Sequence, residues 1–349
     1  MASTNALGLT RDDYKGSPST LCPGCGHSAI VNQIIAVTYE MGLPPYKIVK
    51  MSGIGCSSKA PTYFLGKSHG FNSLHGRMPA VSTGAAIANK DLIIIGVSGD
   101  GDSGSIGMGQ FKHIVRRNVP MVYIIANNGV YGLTKGQFSA TADKDQVLKY
   151  YGKNELPPID LAMEAIITGA TFVARSFSGD AKQMRTLLEA AFHHHGIAVL
   201  DIVSPCVSFN NRPESTKSYS YGKAHETPLH EISLLSPEFV SQHQEEITVK
   251  EYQPGEMVSV EMHDGTVIQL KKVELDYDPR NRWQAVKVLE EAHQNNVFLT
   301  GLLYYEGPER AHPTLIDIEN LVDTPLSMLP PEQLRPSPES LEQVLEEFR

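Results

Sequence analysis

Apolar residues recur at helical spacing through Ile30, Ile34, Ile35 and Val37, so Ser28–Tyr39 is predicted to be a helix. It follows directly on a Cys-Pro-Gly-Cys-Gly-His turn. Tyr46–Met51 reads as a short strand leading into the glycine-rich Ser52-Gly-Ile-Gly-Cys56, and Met78–Asn89 as a helix of small residues. Asp91–Ser98 is a continuous apolar run of the kind that parallel sheets bury on both faces. Gly104–Arg117 then reads as a helix offering Ile106, Phe111, Ile114 and Val115 for packing, and Val119–Ala126 as a second apolar strand. This strand–helix–strand unit calls for a right-handed crossover. A further helix (Ala181–His194) and strand (Ile197–Val203) repeat it and deliver the chain to Ser204-Pro-Cys206. The predicted fold class is α/β, with a doubly wound, mainly parallel sheet.

After about residue 225 the pattern changes. Val258–Met262 and Thr266–Lys271 flank His263-Asp-Gly265, a hairpin signal because Asp-Gly suits a type I′ turn. Trp283–His293 reads as a helix, and from Pro308 the proline-rich, acidic sequence predicts an extended arm. Two units are expected: residues 1–225, and a C-terminal extension over 226–349 carrying hairpin, helix and arm.

Composition narrows the class. With 349 residues, 41% of them hydrophobic and 20% charged, the chain resembles a soluble globular protein with a sizeable core. A net charge of −9 speaks against a general nucleic-acid binder. No run approaches the length of a membrane span, and the N-terminal segment does not read as a secretory leader, so a cytoplasmic location is expected.

Two sets of residues carry chemistry. Gly99-Asp-Gly-Asp102 ends one predicted strand and Asn127-Asn128 ends the next, with Asp100 and Asn128 spaced 28 residues apart. Both therefore meet at the carboxyl edge of neighbouring strands, where open parallel sheets bind ligands. Asp100 offers a carboxylate, Asn128 a side-chain carbonyl and Val130 a backbone carbonyl, an oxygen set suited to Mg²⁺. Gly99 and Gly101 let the backbone approach a diphosphate, and the Ser103–Gly107 stretch opens a helix whose free N–H groups favour anions. This arrangement resembles the thiamine-diphosphate motif. The second set is the four cysteines, Cys22, Cys25, Cys56 and Cys206. Four thiolates suit a [4Fe–4S] cube or a tetrahedral zinc equally well by spacing alone.

Together these stretches resemble one family, the β subunits of 2-oxoacid:ferredoxin oxidoreductases. The resemblance rests on Cys22-Pro-Gly-Cys-Gly-His27, Ser52-Gly-Ile-Gly-Cys-Ser57, Leu74-His-Gly-Arg77, Gly99-Asp-Gly-Asp102 and Asn127-Asn-Gly-Val-Tyr-Gly-Leu-Thr-Lys-Gly-Gln137. It implies a thiamine-diphosphate-binding fold and assigns the four cysteines to [4Fe–4S]. It implies cofactor contacts from His27, Gly55, Ser57, His75, Gly99, Asp100, Gly101, Asp102, Asn128 and Val130, with Mg²⁺ on Asp100, Asn128 and Val130. The implied reaction converts a 2-oxoacid and coenzyme A into acyl-CoA and CO₂, electrons passing through the cluster to ferredoxin, or the reverse.

The substrate expected is 2-oxoglutarate, with pyruvate as the alternative. His75 and Arg77 are expected to face the substrate carboxylate, and Lys59, Leu133 and Lys135 its distal end. The glutamate that activates the cofactor is implied to lie on an α subunit, in an αβ or (αβ)₂ assembly. A non-redox thiamine carboligase or decarboxylase would share the Asp–Asn motif without using four cluster ligands. A zinc-binding structural subunit would use the cysteines but not the motif. The tract His193-His-His195 is expected at a helix C-terminus rather than on one metal, because adjacent helical residues point in different directions.

Overall fold

The chain's architecture, a computed structural model, describes residues 3–235, 257–261, 267–272, 277–307, 312–317 and 323–348. Strands β1 (Ile48–Ser52), β2 (His69–Asn72), β3 (Ile93–Gly99) and β4 (Met121–Asn127) come first, followed by the two-residue pairs β5 (Val130–Tyr131) with β6 (Gln137–Phe138) and β7 (Val147–Leu148) with β8 (Gly152–Lys153). Then follow β9 (Phe172–Phe177), β10 (Ile197–Val203), β11 (Glu226–Pro228), β12 (His230–Leu235), β13 (Met257–Glu261), β14 (Val267–Lys272) and β15 (Phe298–Tyr305). Eight of these form one sheet in the order β11-β15-β9-β10-β4-β3-β1-β2, and only the β15–β9 pair within it is antiparallel.

Helices cover both faces, as the apolar strands require. On one face α1 (Gly26–Glu40) and α5 (Ala181–His193) bury Ile30, Ile34, Leu187 and Leu188 against β4 and β10. On the other, α2 (Met78–Ala88), α3 (Met108–Arg116) and α4 (Leu161–Thr168) pack with Met78, Phe111, Ile114 and Leu161 in the core. The sheet strands β4 and β10 are buried at every position, which is why their sequences show no polar alternation. The doubly wound, mainly parallel α/β fold is thus present.

Several elements depart from expectation. The helix expected over Gly104–Arg117 begins at Met108, because residues 102–106 wind as a wider π-helical turn at the carboxyl end of β3. The sheet also runs through the expected boundary at residue 225. The short helix α6 (Tyr219–His225) leads into β11, and after α7 (Arg282–Gln294) the strand β15 pairs with β9.

The strands of the predicted hairpin are present as β13 and β14, antiparallel and extended to three by β12, while the Asp-Gly turn between them lies outside the described residues. The arm beyond Pro308 is not extended throughout. Ser337 caps helix α8 (Pro338–Glu347), its hydroxyl accepting from Ser340 N at 3.2 Å, with Pro338 at the tolerant first position.

Candidate functional site

The carboxyl ends of β3 and β4 bound a small cavity of about 80 Å³, lined among others by Gly99, Asp100, Gly101, Asp102, Asn128 and Val130. Asp100 is 2% exposed and anchors its floor. Its carboxylate accepts from Thr141 Oγ1 at 2.7 Å, from Ser139 Oγ, and from the backbone N–H groups of Asn128 at 3.3 Å and Gly129 at 3.2 Å. Burial pushes this carboxyl above its usual value even against those donors. The turn opposite is held by Asn128 itself, whose Oδ1 accepts from Val130 N at 3.0 Å. A buried acid and a closed Asn turn facing one cavity form an oxygen-rich cradle that suits a hard cation.

Gly101 is required here by space. A Cβ on it would sit 2.5 Å from the ring of Tyr131, whose hydroxyl donates to Gly101 O at 3.0 Å. Asp102, also 2% exposed, organises the rim. It accepts from Ser98 Oγ at 2.7 Å, Gly76 N at 2.8 Å and Ile54 N at 3.4 Å, and stands against His75 Nδ1. The His75 ring also meets Tyr131 edge-on, at a centroid distance of 5.9 Å.

The four cysteines converge on the same edge of the sheet from three segments. Gly26, the first residue of α1, has no side chain because a Cβ would stand 2.5 Å from the backbone of Ser204. Its N–H instead donates to Pro205 O at 3.1 Å, which brings Cys25 beside Cys206. Cys56 and Cys206 flank Gly132, at whose Cβ position their Sγ atoms would lie 3.5 and 3.6 Å away. Ser208 Oγ donates to Cys22 Sγ at 3.5 Å, so Cys22 joins the group.

Burial pushes the Cys25 thiol up to about 11 and raises those of Cys56 and Cys206, and the neighbouring thiols add to each shift. All four are free. Among the described residues no three His, Cys, Asp or Glu side chains are drawn together at single-ion distances. The donor set nevertheless has the chemistry of a thiolate-ligated group, and Cys56 also lines the cavity beside Asp100.

His27 lines the cavity as well, with Nδ1 3.3 Å from Cys25 Sγ. It is buried, and burial lowers its pKa to about 4, so the ring is neutral near pH 7. Gly55, Ser57 and Leu133 complete the expected lining. Arg77, Lys59 and Lys135 are not in it. Arg77 and Lys135 are exposed, Lys135 at the left-handed φ of 76°, and Lys59 is half-buried next to Cys56. His193 closes α5 as expected, but His194 is buried and hydrogen-bonded to Thr171 at 2.7 Å.

Sequence reading missed Tyr131 as a wall, although it stands inside a quoted motif, and missed Ser139 and Thr141 altogether. Only folding of the loop back over Asp100 reveals that pair. It also missed Lys50, buried in β1, whose Nζ donates to Phe64 O and Leu65 O at 2.8 and 2.9 Å. That lysine fastens the end of the 3₁₀ segment that begins beside Cys56.

The family model of the thiamine pyrophosphate enzyme C-terminal TPP-binding domain matches residues 53–202. The chain is 42% identical over 194 residues to a 2-oxoacid:ferredoxin oxidoreductase subunit beta from Sulfolobus sp, covering 54% of this chain and 63% of that protein. The match to the 2-oxoglutarate oxidoreductase subunit KorB of Mycobacterium tuberculosis is also 42% identical, over 54% of this chain and 51% of the relative. That to the 2-oxoglutarate synthase subunit KorB of Methanocaldococcus jannaschii is 35% identical, over 56% of this chain and 72% of the relative. The chain thus spans only about half to two thirds of the length of the first two. Among solved structures it resembles a 2-oxoglutarate:ferredoxin oxidoreductase from Magnetococcus marinus with 2-oxoglutarate, coenzyme A and succinyl-CoA bound. The TM-score is 0.70 at 27% identity, covering 100% of both chains.

Proposed function

This chain belongs to the β subunits of 2-oxoacid:ferredoxin oxidoreductases, and we propose that it holds thiamine diphosphate, Mg²⁺ and a [4Fe–4S] cluster for 2-oxoglutarate oxidation. The observation that carries the reading is the buried Asp100 facing the Asn128–Val130 turn in a cavity that Cys56 also lines. Asp100, Asn128 Oδ1 and the Val130 carbonyl would hold the cation, and Gly99 and Gly101 would admit the diphosphate. Cys22, Cys25, Cys56 and Cys206 would hold the cluster. When bound, thiamine diphosphate supplies the carbanion chemistry that cleaves the bond next to the 2-oxo group.

The chain's own residues position and screen that chemistry. Neutral His27 and the Asp102-held His75 present ring nitrogens at the cavity wall, where they can hydrogen-bond an anionic group. The 2-oxoglutarate preference is supported by the names of the KorB relatives and by the ligands of the Magnetococcus marinus enzyme. Arg77, Lys59 and Lys135 stand outside the cavity lining in this chain, so their expected roles in holding the substrate require the mouth to be completed by another surface.

Two features support an α partner. No glutamate lines the cavity among the described residues, so the acid that activates the cofactor has to come from elsewhere. Ile54 and Leu133 on the lining, and Leu74 beside His75, are 38%, 49% and 78% exposed, an apolar rim suited to being covered.

The test is anaerobic co-purification of the chain with its α partner. Iron, sulfide, zinc and thiamine diphosphate are quantified, and CoA-dependent reduction of ferredoxin is assayed with 2-oxoglutarate and with pyruvate. About four irons per chain, bound thiamine diphosphate and faster turnover of 2-oxoglutarate are expected. Bound cofactor without iron would turn the reading to a non-redox carboligase, and zinc without cofactor to a structural subunit.

A further inference from the structure

We infer that Asp201, held by Arg175, is a positioning residue for the cofactor's cation, acting on Asp100 through Asn127 and Thr141. The inference rests on the cofactor reading above. A continuous line of polar groups connects them. Arg175 Nη2 lies 2.5 Å from Asp160 Oδ1, and Arg175 Nε donates to Asp201 Oδ2 at 3.0 Å. Asp201 Oδ1 accepts from Asn127 Nδ2 at 2.8 Å, and Thr141 Oγ1 stands 2.8 Å from Asn127 Oδ1 and 2.7 Å from Asp100 Oδ2. Asp100, Thr141, Asn127 and Asp201 are each at most 3% exposed, so the contacts among these four are largely shielded from solvent. The line from Thr141 and Asn127 through Asp201 and Arg175 to Asp160 runs along the wall of a second cleft of about 560 Å³.

The chemistry of each group fixes the next. An ionised carboxylate only accepts hydrogen bonds, so Asp201 compels Asn127 to present its amide nitrogen there and its oxygen to Thr141. Thr141 has one proton and two acceptors at nearly equal distance, so Asp100 shares that proton with Asn127. Were the amide reversed, its nitrogen would donate to Thr141, and the hydroxyl proton would belong to Asp100 alone. Asp100 Oδ2 already receives Ser139 Oγ and Gly129 N, and a further full donor would reduce what it can give a cation. Arg175 enters because its guanidinium can only donate, and its contact with Asp201 Oδ2 at 3.0 Å holds that carboxylate as an acceptor towards Asn127. The two carboxylates in turn hold the guanidinium charged although burial opposes it.

Binding of Mn²⁺ in the presence of thiamine diphosphate, followed by the spin signal of the free ion, tests this on the full chain with its α partner. Asp201→Asn keeps the shape of the side chain and is expected to weaken Mn²⁺ binding about tenfold or more, the usual effect of an outer partner of a metal ligand. Arg175→Met should do the same, and Arg175→Lys, which keeps the charge, should weaken it less. Val199→Ala opens a gap in the same strand and should lower the melting temperature without moving Mn²⁺ affinity. Wild-type affinity in Asp201→Asn, or an equal loss in Val199→Ala, would overturn the positioning role. Failure of the unaltered protein to bind Mn²⁺ and thiamine diphosphate would overturn the cofactor reading itself, and the role with it.

Discussion

Gly101 shows how narrowly the cradle around Asp100 is drawn. A methyl group placed there meets the Tyr131 ring at 2.5 Å, so either the ring or the Asp100 loop has to shift. Gly101→Ala is therefore expected to abolish measurable thiamine-diphosphate binding while the protein still folds, as calorimetric titration beside a circular-dichroism melt would show. Unchanged affinity would mean that the diphosphate does not approach this loop. The Gly-Asp-Gly-Asp and Asn-Asn ends were legible as residues because their spacing places both at one sheet edge. Their supporting shell was not. Ser139 and Thr141 reach Asp100 only because the loop after β4 doubles back, a long-range contact without local periodicity. Lys59, Arg77 and Lys135 show the converse: a motif names residue types, but these three are not part of the cavity lining.

Elements were legible where burial is one-sided or complete. β3, β4, β10, α1, α2 and α5 lie within about two residues of their predicted bounds, the usual fuzziness of helix and strand ends. Pairing was less so. The run Phe298–Tyr305 is fully buried, yet its partner β9 lies more than a hundred residues earlier, and nothing in an apolar run names its neighbour. The junction is held by His230 on β12, whose Nε2 accepts from Leu302 N at 3.2 Å while its ring stacks near Tyr277.

Burial lowers the His230 pKa from 6.5 to about 3, so the folded protein keeps it neutral while the unfolded chain protonates below 6.5. The stability it contributes is complete above pH 6.5 and is lost as pH falls towards 3. The slope is at most about 1.4 kcal/mol per pH unit. His230→Gln is expected to flatten the fall in denaturation midpoint between pH 6.5 and 5, measured by urea titration. A fall as steep as in the unaltered protein would place the acid sensitivity elsewhere.

At the scale of the whole molecule, the chemistry gathers at the carboxyl ends of the central strands β3 and β4. The family match over residues 53–202 begins just after β1 and includes β2, β3, β4 and β9, together with the loops that build the cradle. Cys22 and Cys25 precede it and Cys206 follows it, so the thiol group closes across the two ends of that region. One consequence follows from Cys56 belonging both to that group and to the cavity wall. Its sulfur is a built-in reporter of occupancy. In the metal-free chain, an alkylating reagent that reaches Cys56 leaves its adduct on the wall of the cavity beside Asp100, whereas one that reaches exposed Cys22 does not. Mass-spectrometric footprinting should find Cys56, but not Cys22, protected by thiamine diphosphate with Mg²⁺. Equal protection of both, or of neither, would mean that the two sites do not share this wall.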